Sequence, residues 1–349
     1  MTLNELVTAI SAAHASQTPL RIRGAGSKDF YGGMLAGEVL NVAGYRGIVA
    51  YEPTELYVTA KCGTPLAELE AVLAEKGQML AFEPPHFSGA SVGGCVAAGL
   101  AGPRRQQAGA VRDFVLGVKL IDGTGQVLDF GGQVMKNVAG YDVSRLLAGS
   151  LGTLGVLAEV TLKVLPKPVA EQTLHFEMTE VETIAQLNQW GGQPLPISAS
   201  FWHAGQLWLR LSGAGAAVAA ARRKLGGNAA VDGEKHWISV REQSHPAFAG
   251  QIIWRLALPS NAKPPGLNGL SAIEWGGAQR WYAGEQDAVR GAAARAGGHA
   301  VLYRAPESLR CLEGPFAPLS PALFALHRRL KKAFDPKGIL NPGRLYAEF

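Results

Sequence analysis

The chain has 349 residues, 47% of them hydrophobic and 17% charged, with a formal net charge of +5. That length exceeds one hydrophobic core and predicts two or three domains, and the sparse charge suits a surface covered by a cofactor or a protein partner. The basic residues are scattered, which argues against nucleic-acid binding. Cys62, Cys95 and Cys311 lie far apart with no CxxC, so neither a disulfide framework nor zinc or iron–sulfur spacing is present.

The N-terminal MTLNELVTAISAAHA spaces its apolar residues for an amphipathic helix and lacks the basic leader and continuous apolar core of a signal peptide. No apolar run reaches the ~18–20 residues of a membrane span. These features predict a cytoplasmic protein without a transmembrane segment, any contact with the inner membrane being made through partners. Residues 19–23 read as a short strand entering Gly24-Ala-Gly-Ser-Lys28, where successive backbone N–H groups can face an anion. Alone, this loop is as good a plain tight turn as a ligand loop. It lacks the third glycine of the dinucleotide fingerprint and any Walker Gly-Lys-Ser/Thr. Strand-like runs follow at 39–42, 47–51 and 57–61. A helix then starts with Thr64 as N-cap and Pro65 at its first position, and ends at Gly77.

Ser88–Gly102, SGASVGGCVAAGLAG, holds five glycines, four alanines and no charge. Gly and Ala bury little apolar area, and glycine opens backbone conformations closed to other residues. Such a stretch serves close approach to another surface, and a large cofactor with phosphates is the expected occupant. Arg104 and Arg105 at its end read as a solvated pair. A hairpin follows, 114–121 and 127–130 about the turn Asp122-Gly-Thr-Gly125. Asp142 is placed to cap a short helix, and Gly149, Gly152 and Gly155 recur at every third residue before an apolar strand at 156–164. That spacing again argues for tight backbone packing.

Pro166-Lys-Pro168 marks a boundary, and every tryptophan lies beyond it. Strands predicted at 173–178, 197–202, 207–211, 252–257, 271–275 and 300–303, with helices at 181–190, 216–225 and 285–296, make an α+β unit. It reads as two similar halves forming a six-stranded antiparallel sheet with helices on one face. A basic amphipathic helix at 321–335, its charges read as a solvated face, precedes a turn-rich ending.

Three segments, RGAGSK from Arg23, SVGGCVAAG from Ser91 and GSLGTLGV from Gly149, are finished by DPKGILNPG from Asp335. Each is weak alone, but in this order the set resembles the FAD-binding flavoproteins of the vanillyl-alcohol oxidase/p-cresol methylhydroxylase (PCMH) type. Within that family, the run from Ala101 to Pro166 is most similar to the FAD-binding E subunits of bacterial glycolate oxidase (glycolate dehydrogenase). The resemblance implies an α+β chain with a two-lobed FAD-binding domain, the small lobe at 1–55 and the large lobe at 56–167. It further implies an α+β cap domain with an antiparallel sheet at 168–305, and a C-terminal helix and tail at 306–349 returning to the FAD domain.

FAD would lie extended between the lobes. By matching positions, Arg23, Gly24, Ala25, Gly26, Ser27 and Lys28, with Ser91, Val92, Gly93 and Gly94 of the small-residue stretch, would cradle its pyrophosphate, and Gly99 is a further cofactor-binding candidate. Gly155 and Val156 would meet the adenine end, and Asn341 the flavin end. Lys136, Asn137 and Tyr141 are candidates near the isoalloxazine. The chain departs from hydroxy-acid-oxidising relatives in lacking their H-x-G-D-G-N-x-H segment. His175, His203, His236, His245 and His299 stand isolated in the sequence. No histidine matches the position of covalent FAD attachment, and His86 is the only one close to a flavin motif.

The expectation is therefore non-covalent FAD, no metal and no assignable catalytic residue. The resemblance implies the FAD-binding subunit of a multi-subunit glycolate (2-hydroxy acid) dehydrogenase. Glycolate would be oxidised to glyoxylate beside a homologous larger flavoprotein subunit, and an iron–sulfur subunit would pass electrons to the respiratory chain. A self-sufficient FAD-dependent alcohol or hydroxy-acid oxidoreductase, and a flavin-containing assembly subunit without its own substrate site, are the alternatives.

Overall fold

The computed structural model describes residues 1–132, 142–285 and 287–349. Lys136, Asn137 and Tyr141 therefore lie outside the described residues. The chain opens with the helix Leu3–Ser16, closed at its start by a reciprocal cap between Thr2 and Glu5. Leu6, Ile10 and Ala13 fall on one buried face. They cover the strand Leu20–Arg23, which pairs in parallel with Glu38–Asn41. The C-terminal tail joins this small sheet. Leu20 donates to the Ile339 carbonyl at 2.7 Å, and Asn341 donates to the Leu20 carbonyl at 2.8 Å.

The second layer is a five-stranded antiparallel sheet in the order Ile48–Glu52, Tyr57–Lys61, Val156–Lys163, Val115–Ile121, Val127–Gly131. Its middle strand, Val156–Lys163, is apolar on both faces because both are covered. Val156 and Ala158 meet the N-terminal helix, while Leu157, Val160 and Leu162 meet the helices Leu66–Glu75 and Val92–Ala98. By pairing, Ile48–Glu52 belongs with this larger sheet. Thr64 does not cap the helix as predicted, since Pro65 takes that position and the helix begins at Leu66. The Thr64 hydroxyl instead bridges the Gly47 N–H at 2.9 Å and the Gly47 carbonyl at 3.1 Å.

The small-residue stretch contains a helix that its glycines disguise, Val92–Ala98, with Ser91 as N-cap and Gly99 left-handed at φ 65°. Its thinness has a structural reason. A Cβ on Gly93 would stand 2.6 Å from the Cys62 Cβ, closer than packed carbons approach.

Residues 170–304 build the cap around an eight-stranded antiparallel sheet, so the predicted α+β class with an antiparallel sheet holds. Six of its strands match the predicted ones. The short pair partner Asn228–Ala229 and the strand Gln279–Ala283 complete it. Gln279 and Arg280 make the latter look polar, yet both are buried. The Arg280 guanidinium donates to the carbonyls of Ala262, Lys263 and Gly277. One face of the sheet packs on the helices Glu180–Gly191, Gly215–Leu225 and Val289–Arg295. The other meets the helix Gly233–Arg241 and, through Phe201, Trp281 and Tyr303, the side chains Tyr31, Leu100 and Leu151 of the first part of the chain.

Two expectations about charge are corrected. Arg104 is buried, with Glu83 at 3.3 Å and Glu171 at 2.7 Å, and Arg105 lies over the Trp275 ring at 4.3 Å. In the C-terminal helix Pro321–Phe334, Lys331 is buried and bonds Asp335 at 2.7 Å and the carbonyls of Thr153 and Leu340 at 2.8 Å each. Among the described residues, no helix is long and apolar enough to cross a membrane, and no cluster of three His, Cys, Asp or Glu side chains is placed to hold a metal.

Candidate functional site

The loop leaving Leu20–Arg23, the helix Val92–Ala98 and the turn 151–155 converge on a cleft of about 860 Å3, its open mouth included. Their close approach depends on missing side chains. A Cβ on Gly24 would fall 2.4 Å from the Ser91 hydroxyl, and one on Gly155 would fall 2.6 Å from Leu120. These glycines bring the walls together and leave backbone bare along the cleft.

Asn341 locks the arrangement. Its Oδ1 accepts from the Ile22 N–H at 2.7 Å and its Nδ2 donates to the Leu151 carbonyl at 2.6 Å. One side chain thus ties the C-terminal tail to the first strand and to the turn 151–155.

The cleft is cationic. Arg21, Arg23, Lys28 and Arg344 line it against the single carboxylate of Asp29. Asp29 pairs with Arg21 at 2.6 Å and Arg23 at 3.1 Å. Among the described residues no carboxylate lies within ion-pair distance of Lys28. Its ammonium reaches the Ser27 hydroxyl only at 3.5 Å and sits 5.3 Å from the Phe87 ring centre. Burial pushes its pKa down. Burial and the neighbouring Arg310 likewise push Arg344 down to about 10, although it donates to the carbonyls of Gly33 and Tyr31. A cleft in which cations outnumber acids and one lysine lacks an acid partner can hold a diphosphate; the residues present fit such a group.

Of the predicted positions, Arg23 to Lys28, Ser91, Gly93, Gly94, Gly155, Val156 and Asn341 line this cleft. Val92 and Gly99 do not. The Val92 side chain points into the core beneath, and Gly99 closes the helix against Gly149. Sequence reasoning missed Arg21, Asp29 and Arg344. Arg21 precedes the glycine loop on the same strand, but nothing in the tail marked Arg344. Cys62 also lines the cleft, its thiol pushed up to about 12 by burial. His86 is turned away from it, its ring on Glu70 at 3.0 Å and its N–H on Glu242.

The cap gathers three of the histidines that looked isolated. His236 stacks on Trp208 with centroids 4.0 Å apart, and His245 lies 5.4 Å from His236 and 5.1 Å from His203. Burial holds His236 near about 3 and His245 near about 4, each lowered further by a neighbouring imidazole. His203 Nδ1 meets the Ser271 carbonyl at 2.6 Å. With His236 and His245 disfavoured as cations, the cluster forms an aromatic wedge within the cap.

A family model described as an FAD binding domain matches residues 1–131, and one described as the C-terminal domain of FAD linked oxidases matches residues 318–345. The glycolate oxidase subunit GlcE of Escherichia coli is 48% identical over 347 residues, covering 98% of this chain and 97% of that protein. The glycolate oxidase subunit GlcD of Bacillus subtilis is 28% identical over 186 residues, 52% of this chain and 39% of that protein. A D-lactate dehydrogenase of Anaerostipes hadrus is 35% identical over 132 residues, covering 28% of its length. Among solved structures, an alkyldihydroxyacetonephosphate synthase superposes with a TM-score of 0.66 at 15% identity, covering 97% of this chain and 74% of that one, a likeness of fold alone. Matched along nearly its whole length by one such subunit and at both ends by the FAD-domain models, the chain belongs to the FAD-linked oxidases, in the group of the glycolate oxidase subunit GlcE.

Proposed function

We propose that this chain is the FAD-binding subunit of a multi-subunit dehydrogenase for glycolate or a close 2-hydroxy acid. FAD is held non-covalently in the cleft, its diphosphate against residues 23–28 and Ser91 to Gly94, its adenine end toward Gly155 and Val156. The observation that carries this reading is the cationic cleft itself, formed where three small-residue segments meet and leave Lys28 without an acid partner. When bound, the flavin supplies two-electron oxidation of a CH–OH carbon. The chain's own residues bind it, exclude water from its diphosphate and fix its direction between the lobes. Non-covalent binding is supported by a lining without histidine among the described residues, and by a Cys62 thiol held protonated by burial.

A homologous larger flavoprotein subunit and an iron–sulfur subunit complete the complex in this reading. Electrons pass through them to the respiratory chain, and the complex works in the cytoplasm or on the inner membrane through its partners. Purification of the full chain tests the first part. About one FAD per chain, released intact by acid precipitation, is expected, and a protein that stays colourless after FAD is supplied overturns it. Co-purification from the source tests the second part. Glycolate oxidation at full rate by the isolated chain overturns the dependence on partners.

A further inference from the structure

A second buried cation stands behind Arg344 in the wall of the cleft. Arg310, on the helix Glu307–Glu313 that follows the last cap strand, is buried but does not itself line the cleft. Its Nη1 donates to the carbonyls of Gly32 and, at 3.3 Å, of Gly33, and its Nε donates to the Ala305 carbonyl at 3.2 Å. Arg344 approaches the same turn from the tail. Its Nη1 donates to the Gly33 carbonyl at 2.7 Å, and its Nη2 donates to the Tyr31 carbonyl and reaches that of Lys28 at 3.5 Å. The Gly33 oxygen therefore stands between two buried guanidinium groups. Glycine lets the tail come this close, since a Cβ on Gly33 would fall 2.2 Å from the Gly343 carbonyl oxygen.

Carbonyl dipoles satisfy these donors without cancelling their charge. Among the described residues no carboxylate stands within ion-pair distance of Arg310 or Arg344. Asp29, already shared by Arg21 and Arg23, and Glu307 favour the charged form of Arg344 from farther away. Burial, with the like charges of Arg310 and Arg21, outweighs them. Two like charges withdrawn from water without an anion are costly. Of the pair, only Arg344 reaches the cleft, so that is where a bound anion offsets both.

We propose that Arg310 is a positioning residue for the cofactor: from behind the wall it holds the turn 31–33 and Arg344 in place and adds its charge to the field that draws the phosphates of FAD. The assignment deepens the reading of the cleft as an FAD site and rests on it. It gives a role to a side chain that touches neither the cleft nor the glycine loop 24–28. Arg310 belongs to the segment leaving the cap, so the same contact ties that segment to the far end of the cofactor loop.

Titration of the FAD-stripped full chain with FAD, at low and at high potassium chloride, tests this role. Arg310→Gln keeps an amide donor and loses the charge. It should weaken FAD binding by about tenfold at low salt, the effect of one charge several ångströms away at an effective dielectric of about 20. Its salt dependence should also be shallower than that of the wild-type chain, because one fewer charge is screened. Arg310→Lys should restore both affinity and salt dependence near pH ~7, which a mere packing defect would not allow. Should Arg310→Gln fail to fold, Arg310→Lys gives the second reading. A lysine buried beside Arg344 loses its proton below the usual lysine range, so FAD affinity should fall from about pH 7 to about pH 9.5 in this variant and not in the wild-type chain. Unchanged affinity and salt dependence in Arg310→Gln, equal weakening in Arg310→Lys near pH ~7, or identical pH profiles of Arg310→Lys and wild type overturn the proposal. A wild-type chain that binds no FAD overturns the reading of the cleft itself, so the two fail distinguishably.

Discussion

Lys28 and Asn341 both line the cleft, yet they do opposite kinds of work. The Lys28 ammonium is half-buried with no carboxylate within ion-pair distance, so its charge is only partly offset in the empty protein and is better matched by an anion in the cleft. Lys28→Met should therefore weaken FAD binding by about ten- to a hundredfold, the range of a hydrogen bond to a charged group, while leaving the melting temperature of the FAD-free chain unchanged or higher. A flavin titration beside a thermal melt checks both. Asn341 instead has its amide fully engaged by backbone at both ends. Asn341→Ala should cost about 2–3 kcal/mol in urea unfolding, because two buried backbone groups lose their partners. The sequence pointed to both residues through short motifs, but a motif cannot say whether a side chain faces ligand or backbone. Arg344 went unseen because its role depends on where the tail lands, not on its neighbours in the chain.

At the level of elements, the cap and the FAD-binding part are joined by a four-charge clamp whose two arginines are buried. Glu83 pairs with Arg104 at 3.3 Å and with Arg210 of the cap at 2.8 Å, and Arg104 reaches Glu171 of the cap at 2.7 Å. Burial works against ionisation of Glu83, but Arg210 and Arg104 outweigh it and hold the carboxyl below its usual range. Glu83→Gln leaves two buried guanidinium groups short of charge and should destabilise by about 3–5 kcal/mol. Faster proteolysis at the connection around the exposed Val169 is the check, and an unchanged cleavage rate would mean that the clamp does not couple the two parts.

The histidine wedge in the cap sets a pH limit. His236 and His245 have folded values of about 3 and about 4, below the ~6.5 of an unfolded chain. Between those values the unfolded state binds more protons, so stability is full above ~6.5 and falls as pH drops toward 4. A melting curve should lose a few degrees across that window, at about 2–4 °C per kcal/mol, and His236→Gln should flatten the loss. Neither the clamp nor the wedge was legible in sequence. Their members are separated by long stretches of chain, and folding alone brings them together. The strand Gln279–Ala283 escaped for a related reason, since a buried arginine satisfied by carbonyls looks like a surface residue until its partners are known.

Over the whole molecule, the spacing of small residues marked the walls of the cleft better than hydrophobic periodicity did, because close backbone approach leaves a mark in composition that burial does not. What composition could not show is that the cleft is finished from the far end of the chain. The tail supplies Leu340 beside Leu20, Asn341 on Ile22 and Leu151, and Arg344 on the carbonyls of Gly33 and Tyr31. These contacts close a loop of more than 300 residues, so they add to binding without helping the first lobes to find each other early in folding. A chain ending at Asp335 keeps the loop 24–28 and the helix Val92–Ala98, but loses the pin between the first strand and the turn 151–155. Such a chain should retain near-native far-ultraviolet circular dichroism from its two large sheets and fail to hold FAD through gel filtration. In the full chain, FAD at a hundred times its dissociation constant should add about 2.7 kcal/mol to stability, and the truncated chain should show no such shift. Equal FAD-dependent stabilisation in both would mean that the glycine loops alone make the site and that the tail only packs beside it.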